Sequence, residues 1–240
     1  RHVLVKRVRR WINADGFISP LDFHNLVSFT PGPPAVWHFV AQAGDGRTVQ
    51  VRLAADMLPG RNAVVFLFTR PSITEAEGKQ LPPDSEVRLT VRLDIEDRNF
   101  HSETKHNGGT ERHFASNTLP LRGRTGFAFT PAHERHLRVF ANAGEYHPQP
   151  EWHFNIPHPG EATRGQTDAG DVLSPGWFDL PLGKGDHVEL VVTADDPEPT
   201  ERELEEFTNR AGQWMDAASG TSPAPDISKS LEHAARAFVV

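Results

Sequence analysis

The clearest indication of the fold is the stretch Val87-Arg-Leu-Thr-Val-Arg-Leu-Asp94, in which apolar and polar side chains alternate. Successive side chains of a β-strand point to opposite faces, so a period of two predicts a strand with one buried and one wetted face. This pattern is typical of a sheet that buries one face against the core and exposes the other face to water. Such sheets are usually antiparallel. The stretch therefore predicts a strand of an antiparallel sheet.

Runs of the same kind recur on both sides of this strand, and the turns between them are rich in Pro, Gly, Asn and Asp. Gly44-Asp-Gly46 lies between two such runs and predicts a hairpin. Many short strands at this spacing predict a mainly β fold, a large antiparallel β-sandwich. The predicted strands cover residues 26–29, 36–42, 48–53, 63–69, 88–94, 113–117, 125–130, 137–141, 151–155, 177–180 and 187–193.

The composition is that of a globular domain and excludes several classes of protein. The chain has 240 residues, of which 37% are hydrophobic and 24% charged, with 19 Gly and 20 Pro. The longest apolar run, residues 63–68, is far shorter than the ~20 residues of a membrane span, so we expect no membrane partner. The absence of cysteine excludes disulfides and a thiolate zinc site, and it indicates a reducing, cytoplasmic compartment.

The charge argues against a nucleic-acid partner. The net charge is −7, and a duplex binder needs a concentrated basic face. Only residues 1–10 are strongly basic, and there Lys and Arg alternate with valines. This pattern predicts an edge strand with a charged outer face.

The pattern changes after Asp195. Thr200-Glu-Arg-Glu203 fits a capping box, the start of a helix. Apolar residues then recur every three or four positions and predict an amphipathic helix. These residues are Leu204, Phe207, Ala211 and Trp214.

A second helical pattern begins at Ile227. We therefore expect a sandwich domain over residues 1–196 and a helical linker over residues 197–240. The chain begins with Arg and ends in apolar residues, whereas natural termini are usually polar and frayed. We expect a fragment of a longer chain, with a further domain after the linker.

The 13 histidines raise the question of a metal site. No pair has the spacing of an HExxH helix or of an H-x-H strand, so we expect ordinary buried or surface histidines, no metal and no cofactor. No Gly-x-Ser-x-Gly elbow is present either.

Two segments combine residue types that bind ligands. Residues 145–178 hold aromatic side chains beside carboxylates and arginines, which suits a sugar site. The same set suits a buried Arg–carboxylate clamp that holds a long loop, and this second interpretation is favoured. In the other segment, Arg98 and His101 lie where a strand becomes a loop, a position typical of binding residues and equally of a structural corner.

Several short motifs occur in a fixed order over residues 85–240. They are Val87–Leu93, Arg98-Asn-Phe-His101, Trp152, Glu161-Ala-Thr-Arg-Gly165, Asp171-Val-Leu-Ser-Pro-Gly176 and the closing stretch from Leu231. In this order the chain resembles the N-terminal domain of bacterial and archaeal glycogen debranching enzymes. The first 80 residues fit the resemblance only loosely.

The resemblance implies a supersandwich fold, similar to mutarotase-like and glucoamylase N-terminal domains. It implies a parent glycoside hydrolase, an amylo-α-1,6-glucosidase whose paired carboxylates lie in an (α/α)6 barrel outside this chain. The chain alone is then noncatalytic, and its partners are its own catalytic domain and an α-glucan such as glycogen or a maltooligosaccharide. The residues implied in substrate binding or domain docking are Arg98, His101, Trp152, Glu161, Arg164, Asp171 and Trp177.

This sequence departs from the family pattern at some positions. An acidic pair is replaced by Gly170-Asp171, and Gln166 and Arg236 stand where the family has an aromatic and an acidic residue. Two alternative functions stay open. One is a stand-alone α-glucan-binding module that stacks sugars on Trp152 and Trp177. The other is a mutarotase-like enzyme that pairs His101 or His153 with Glu161.

Overall fold

A computed structural model describes residues 2–72, 78–99 and 102–217. The fold is mainly β. The elements are β1 (Val3–Ala14), β2 (Phe17–Pro20), β3 (Leu26–Thr30), β4 (Ala35–Gln42), β5 (Arg47–Met57), β6 (Ala63–Thr69), β7 (Lys79–Gln80), β8 (Val87–Arg98), α1 (Gly108–Asn117), β9 (Thr118–Pro120), β10 (Thr125–Ala132), β11 (Arg135–Ala141), β12 (Glu145–His147), β13 (Glu151–Pro157), α2 (Pro159–Ala162), β14 (Ala169–Ser174), β15 (Trp177–Pro181), β16 (His187–Thr193) and α3 (Glu201–Ala217).

The strands form two large antiparallel sheets, and β5 also pairs in parallel with the short strand β7. This confirms the predicted antiparallel β-sandwich class. The chain divides into two compact units. Unit 1 consists of Arg1–Trp11 and Leu89–Pro181, and unit 2 consists of Ile12–Arg88 and Leu182–Val240.

Unit 1 is built around β8. The apolar side chains of β8 that belong to this unit, Leu89, Val91, Leu93 and Ile95, are at most 1% exposed. The strands β12, β15, β8 and β1 follow one another in a sheet, and β14 pairs with both β8 and β13. Phe127 on β10 packs its ring against Tyr146 and Phe178, with centroids 5.4 and 6.4 Å away. Unit 1 therefore has two layers of strands with aromatic rings between them.

Unit 2 contains the antiparallel run β3-β4-β5-β6-β16. Strand β5 is buried along most of its length, and Val51, Leu53 and Ala54 are fully shielded from solvent. Helix α3 lies against β5 and β6 and covers them with Phe207, which is 1% exposed. The predicted helix after Asp195 is thus confirmed, and it closes the core of unit 2.

The predicted capping box at the start of α3 is confirmed. The Glu203 backbone N–H donates to Thr200 Oγ1 at 3.3 Å, and the Thr200 backbone N–H donates to Glu203 Oε2 at 2.8 Å. The predicted apolar stripe is partly wrong. Trp214 is 40% exposed, whereas Met215, one residue further on, is 4% exposed. The buried row continues from Ala211 by a step of four, so Met215 takes the position assigned to Trp214.

The predicted strand at residues 113–117 is wrong, because this stretch lies in helix α1. Asn107 starts that helix by accepting hydrogen bonds from the backbone N–H groups of Gly109 and Thr110. The helix buries Phe114, which is 2% exposed. The Asn107-Gly-Gly109 stretch resembles a turn between strands, but here it acts as an N-cap.

Strand β8 continues to Arg98, past the predicted end at Asp94. The basic face of β1 also differs from the prediction. Arg7 and Arg9 form ion pairs with Asp94, which is fully buried. The basic residues of β1 thus neutralise a buried carboxylate.

The predicted helix from Ile227 lies outside the described residues. The domain boundary at residue 196 stays a prediction. In the described part of the chain, no helix is both long enough and apolar enough to cross a membrane.

Glu203 predicts a pH-dependent contribution to stability. Arg61 donates to both of its oxygens at 2.9 Å, and this pairing, with hydrogen bonds from Thr200, lowers the pKa of Glu203 to about 2. A carboxylate with a lowered folded-state pKa stabilises the fold above its ordinary pKa of 4.5, and the effect is lost as the pH falls. We expect Glu203→Gln to lower Tm at pH 7, with a difference from wild type that shrinks from pH 4.5 towards pH 2.

Glu206→Gln is the matched control, because Glu206 pairs with Arg202 on the exposed side of the same helix. Its Tm should follow wild type at every pH. A constant Tm difference between Glu203→Gln and wild type over the whole pH range would contradict the assignment.

Candidate functional site

Arg98, the last residue of β8, joins two carboxylates. Its Nε donates to Glu96 Oε1 at 3.1 Å, and a terminal guanidinium nitrogen donates to Glu161 Oε1 at 2.9 Å. Glu96 lies two residues earlier on the same strand, whereas Glu161 lies in the one-turn helix α2. The guanidinium therefore ties α2 to the end of β8.

Burial and pairing set the charges of these three groups. Burial raises the pKa of Glu96, although Arg98 works against this shift. The hydrogen bond from Arg98 lowers the pKa of Glu161. Burial disfavours the charge on Arg98, but its bonds to Glu161 and Glu96 outweigh the burial and raise its pKa. The guanidinium is thus a permanent counter-charge for two acids.

His158 is fully buried and lies close to the same charges. Lys6 Nζ lies 2.8 Å from His158 Nδ1. An ammonium group can only donate, so Nδ1 accepts and the proton of the neutral ring is on Nε2. Burial lowers the pKa of His158, and the neighbouring cations lower it further. We call Lys6, Glu96, Arg98, His158 and Glu161 the Arg98 cluster.

The Arg98 cluster keeps two polar atoms unsatisfied. Within the described residues, Nε2 of His158 and Oε2 of Glu96 are buried and have no hydrogen-bond partner. The His158 ring also faces the backbone closely, since a Cβ at Gly170 would lie 2.8 Å from Nε2. A side chain at position 170 would therefore require the His158 ring to move.

Asp171 holds two backbone segments. Its carboxylate accepts hydrogen bonds from the backbone N–H groups of His106 and Asn155, both at 2.9 Å. Burial alone would raise the pKa of Asp171, but these donors lower it. Asn155 has a φ of +54°, in the left-handed region that few residues other than glycine and asparagine adopt. Asp171 thereby fixes the backbone of His106 and of Asn155, the residue that follows Phe154.

Three rings form an aromatic surface on unit 1: His106, Trp152 and Phe154. The His106 ring lies 4.8 Å from that of Trp152 and 5.5 Å from that of Phe154. Phe114 supports Trp152 from the core side at 5.4 Å. Phe154 is 56% exposed and Trp152 is half-buried. Flat rings with an accessible edge and a packed back suit the apolar face of a sugar.

Trp177 belongs to a different ring pair. It stacks on His147 with centroids 4.1 Å apart and rings inclined by 21°, and its Nε1 donates to Gln149 Oε1 at 3.1 Å. His147 also lines a groove of about 340 Å³ between β10 and β12, together with Arg124, Glu145 and Tyr146.

The structure brings together some of the predicted site residues. Arg98 and Glu161 are directly paired. Arg164 is exposed, so the clamp onto the α2 segment is made by Arg98 instead. Trp152 and Trp177 lie in separate ring clusters. His101 lies outside the described residues.

Of the two pairs considered for a mutarotase-like site, the pair of His153 with Glu161 is not formed, and His101 lies outside the described residues. His153 Nε2 faces Glu151 Oε2 at 3.5 Å, while Glu161 is held by Arg98. In the described ranges, no group of His, Asp and Glu is placed to hold a metal ion.

Sequence reasoning missed Lys6, Glu96 and His158. One signal was present, because Glu96 and Arg98 share a strand face at a spacing of two. Nothing local in the sequence links either residue to Lys6 or to His158.

Arg98→Met tests the role of the guanidinium. The change leaves Glu96 buried with its main counter-charge gone, so we expect the free energy of unfolding to fall by about 3–5 kcal/mol at pH 7. The loss should be smaller at pH 5, because protonation of Glu96 removes the unpaired charge. Urea denaturation at both pH values measures the two effects.

Arg164→Met is the matched control, since Arg164 lies in the same segment but is exposed. Its effect should stay within about 0.5 kcal/mol of wild type. Equal losses in the two variants would overturn the assignment of the clamp to Arg98.

Comparison with known proteins gives the family. The chain matches a solved structure of a protein assigned as a kojibiose phosphorylase from human microbiome, with 11% sequence identity, a TM-score of 0.38, and coverage of 91% of this chain and 25% of that one. The chain thus spans about a quarter of the length of that protein. No curated protein sequence matches it. The family described as "Glycogen debranching enzyme N terminal" matches residues 4–189. The chain belongs to the glycogen debranching enzyme N-terminal family.

Proposed function

We propose that this chain is the noncatalytic N-terminal domain of a glycogen debranching-type α-1,6-glucosidase, and that it docks on the catalytic domain and helps to bind α-glucan. Family membership supports the first part. The aromatic surface of His106, Trp152 and Phe154 carries the second part, because it offers exposed rings whose backbone is fixed by Asp171.

The chemistry of the contact follows from the rings. The apolar faces of glucose residues stack on aromatic rings, while hydroxyl groups need hydrogen-bond partners at the edge. The His106 ring supplies such a partner for a hydroxyl group. The Glu111 carboxylate lies beside it, with Oε2 3.8 Å from His106 Nε2. This arrangement suits a neutral polysaccharide better than a charged ligand.

The Arg98 cluster has a supporting role in this proposal. It fixes α2 and its neighbours through Glu161, and Gly170 next to Asp171 packs on its His158 ring. The carboxylates of Glu96 and Glu161 are both bound by the Arg98 guanidinium. This pairing suits a structural clamp rather than a pair of hydrolytic acids.

Affinity electrophoresis with and without glycogen in the gel tests the glucan contact. We expect glycogen to retard the wild-type chain and Trp152→Ala to weaken the apparent affinity about tenfold, since a stacking ring contributes on the order of 1 kcal/mol or more. Trp214→Ala is the control, because Trp214 is a partly exposed tryptophan (40%) that lies on α3 of unit 2. Equal mobility of wild type in both gels would overturn the glucan contact.

Measurements on the parent enzyme distinguish glucan binding by the aromatic surface from docking of that surface on the catalytic domain. If the aromatic surface contacts glucan, Phe154→Ala in the parent enzyme raises KM for branched glucan and leaves Tm close to that of wild type, because Phe154 is 56% exposed. If the same surface faces the catalytic domain, the substitution lowers Tm. Retardation of the isolated chain together with wild-type KM in the parent would favour a stand-alone α-glucan-binding module.

A further inference from the structure

His158 holds the segment that contains α2. Its backbone N–H donates to the Asp168 backbone oxygen at 2.6 Å, and its own backbone oxygen accepts from the Ala162 N–H at 2.9 Å. These two bonds tie both ends of residues 158–168 to one residue. His158 is fully buried, so the position of this segment depends on how its ring is accommodated.

The His158 ring is enclosed by β1 and β14. Lys6 on β1 places its Nζ 2.8 Å from Nδ1 of the ring. On β14 the backbone lies directly against the ring, since a Cβ at Gly170 would lie 2.8 Å from Nε2. The Lys6 contact requires a neutral ring that accepts at Nδ1. A second proton would have to sit on Nδ1, where it would face the hydrogens of the ammonium group.

Burial and two cations oppose a positive charge on this ring. Burial has the largest effect, and the charges of Lys6 on β1 and Arg98 on β8 add to it. Together they lower the pKa of His158 below its ordinary value of 6.5. The ring is therefore neutral in its buried position at pH 7.

The carboxylates around the ring are already paired with other cations. Glu96 and Glu161 accept from Arg98 at 3.1 and 2.9 Å. Glu103, in the loop after β8, lies 3.7 Å from Lys105 Nζ. Glu161 and Glu103 favour a charge on the ring, but they act less strongly than burial and the cations. The surroundings thus disfavour a charged ring.

We propose that His158 is a pH-sensitive switch, in which a proton on Nδ1 expels the ring from the Arg98 cluster and releases residues 158–168 from β1 and β14. Above pH 6.5 the ring is neutral and stays in place. As the pH falls below the ordinary pKa of 6.5, the released ring takes up a proton more readily than the buried ring, so the open form gains population. The switch does not rest on the proposed glucan contact.

Amide hydrogen exchange followed by NMR tests the switch. The backbone N–H groups of His158 and Ala162 report the opening, because both are hydrogen-bonded within the segment. If the ring titrates only after release, opening is about tenfold more favourable at pH 5.5 than at pH 7.5. We expect the protection factors, corrected for the pH dependence of intrinsic exchange, to fall about tenfold. The amides of β6, which has no titratable side chain, are the internal reference.

Two variants assign the effect to the contact between Lys6 and His158. His158→Asn keeps an acceptor near the position of Nδ1 but takes up no proton, so its protection factors should be equal at both pH values. Lys6→Met removes the ammonium group that faces the ring and should reduce the change to about threefold or less. His153→Asn is the matched control, because His153 faces Glu151 outside the Arg98 cluster. His101→Asn is a second control, and both should keep the tenfold change.

Each outcome decides the proposal. Equal protection of wild type at both pH values would overturn it, because the ring would then be protonated in place or Lys6 would move aside. A tenfold change that persists in Lys6→Met and His158→Asn would assign the effect to another group and would also overturn it, as would loss of the change in His101→Asn. If His158→Asn does not fold, Lys6→Met decides by itself, since it keeps the ring.

Discussion

The organisation of unit 1 depends on one buried guanidinium held between two carboxylates. Glu96 is fully buried, so its charge would be costly without the Arg98 side chain beside it. The second bond of Arg98, to Glu161, extends the same counter-charge to α2. Position 170 lies close to His158, so that a side chain there would displace the His158 ring. The ion pair, the glycine and the adjacent Asp171 together keep a polar, irregular segment in a single arrangement.

Much of the fold follows from period-two patterns. Strands such as β6 and β16 have the bounds that their sequences predict, because alternation reports directly which side chains face the core. Prediction fails where side chains and backbone compete locally. Helix α1 begins with two glycines, Gly108 and Gly109, which disfavour a helix. The Asn107 side chain caps this helix, and the buried ring of Phe114 stabilises it. Propensity alone cannot weigh that tertiary contact.

The candidate site was less predictable, for a physical reason. The sequence analysis identified both Arg98 and Glu161 by their chemistry. It could not pair them, because the two residues are 63 positions apart in the chain. The sequence equally allowed Arg164, three residues from Glu161, to make the clamp. Only the packing, which buries Arg98 and exposes Arg164, distinguishes the two. The contact of Lys6 with His158, over 152 residues, has no local signal at all.

The division of the chain has a consequence for synthesis. Unit 1 takes its first strand from Arg1–Trp11 and the rest from Leu89–Pro181, so the whole intervening stretch is made before β1 meets β8. During synthesis β1 is therefore made well before β8, and until then β2 is the sheet neighbour available to pair with it. Closing so long a loop is slow, and folding dominated by such distant contacts is slow as well. Until β8 is made, the edge of β1 that pairs with β8 is open to wrong partners.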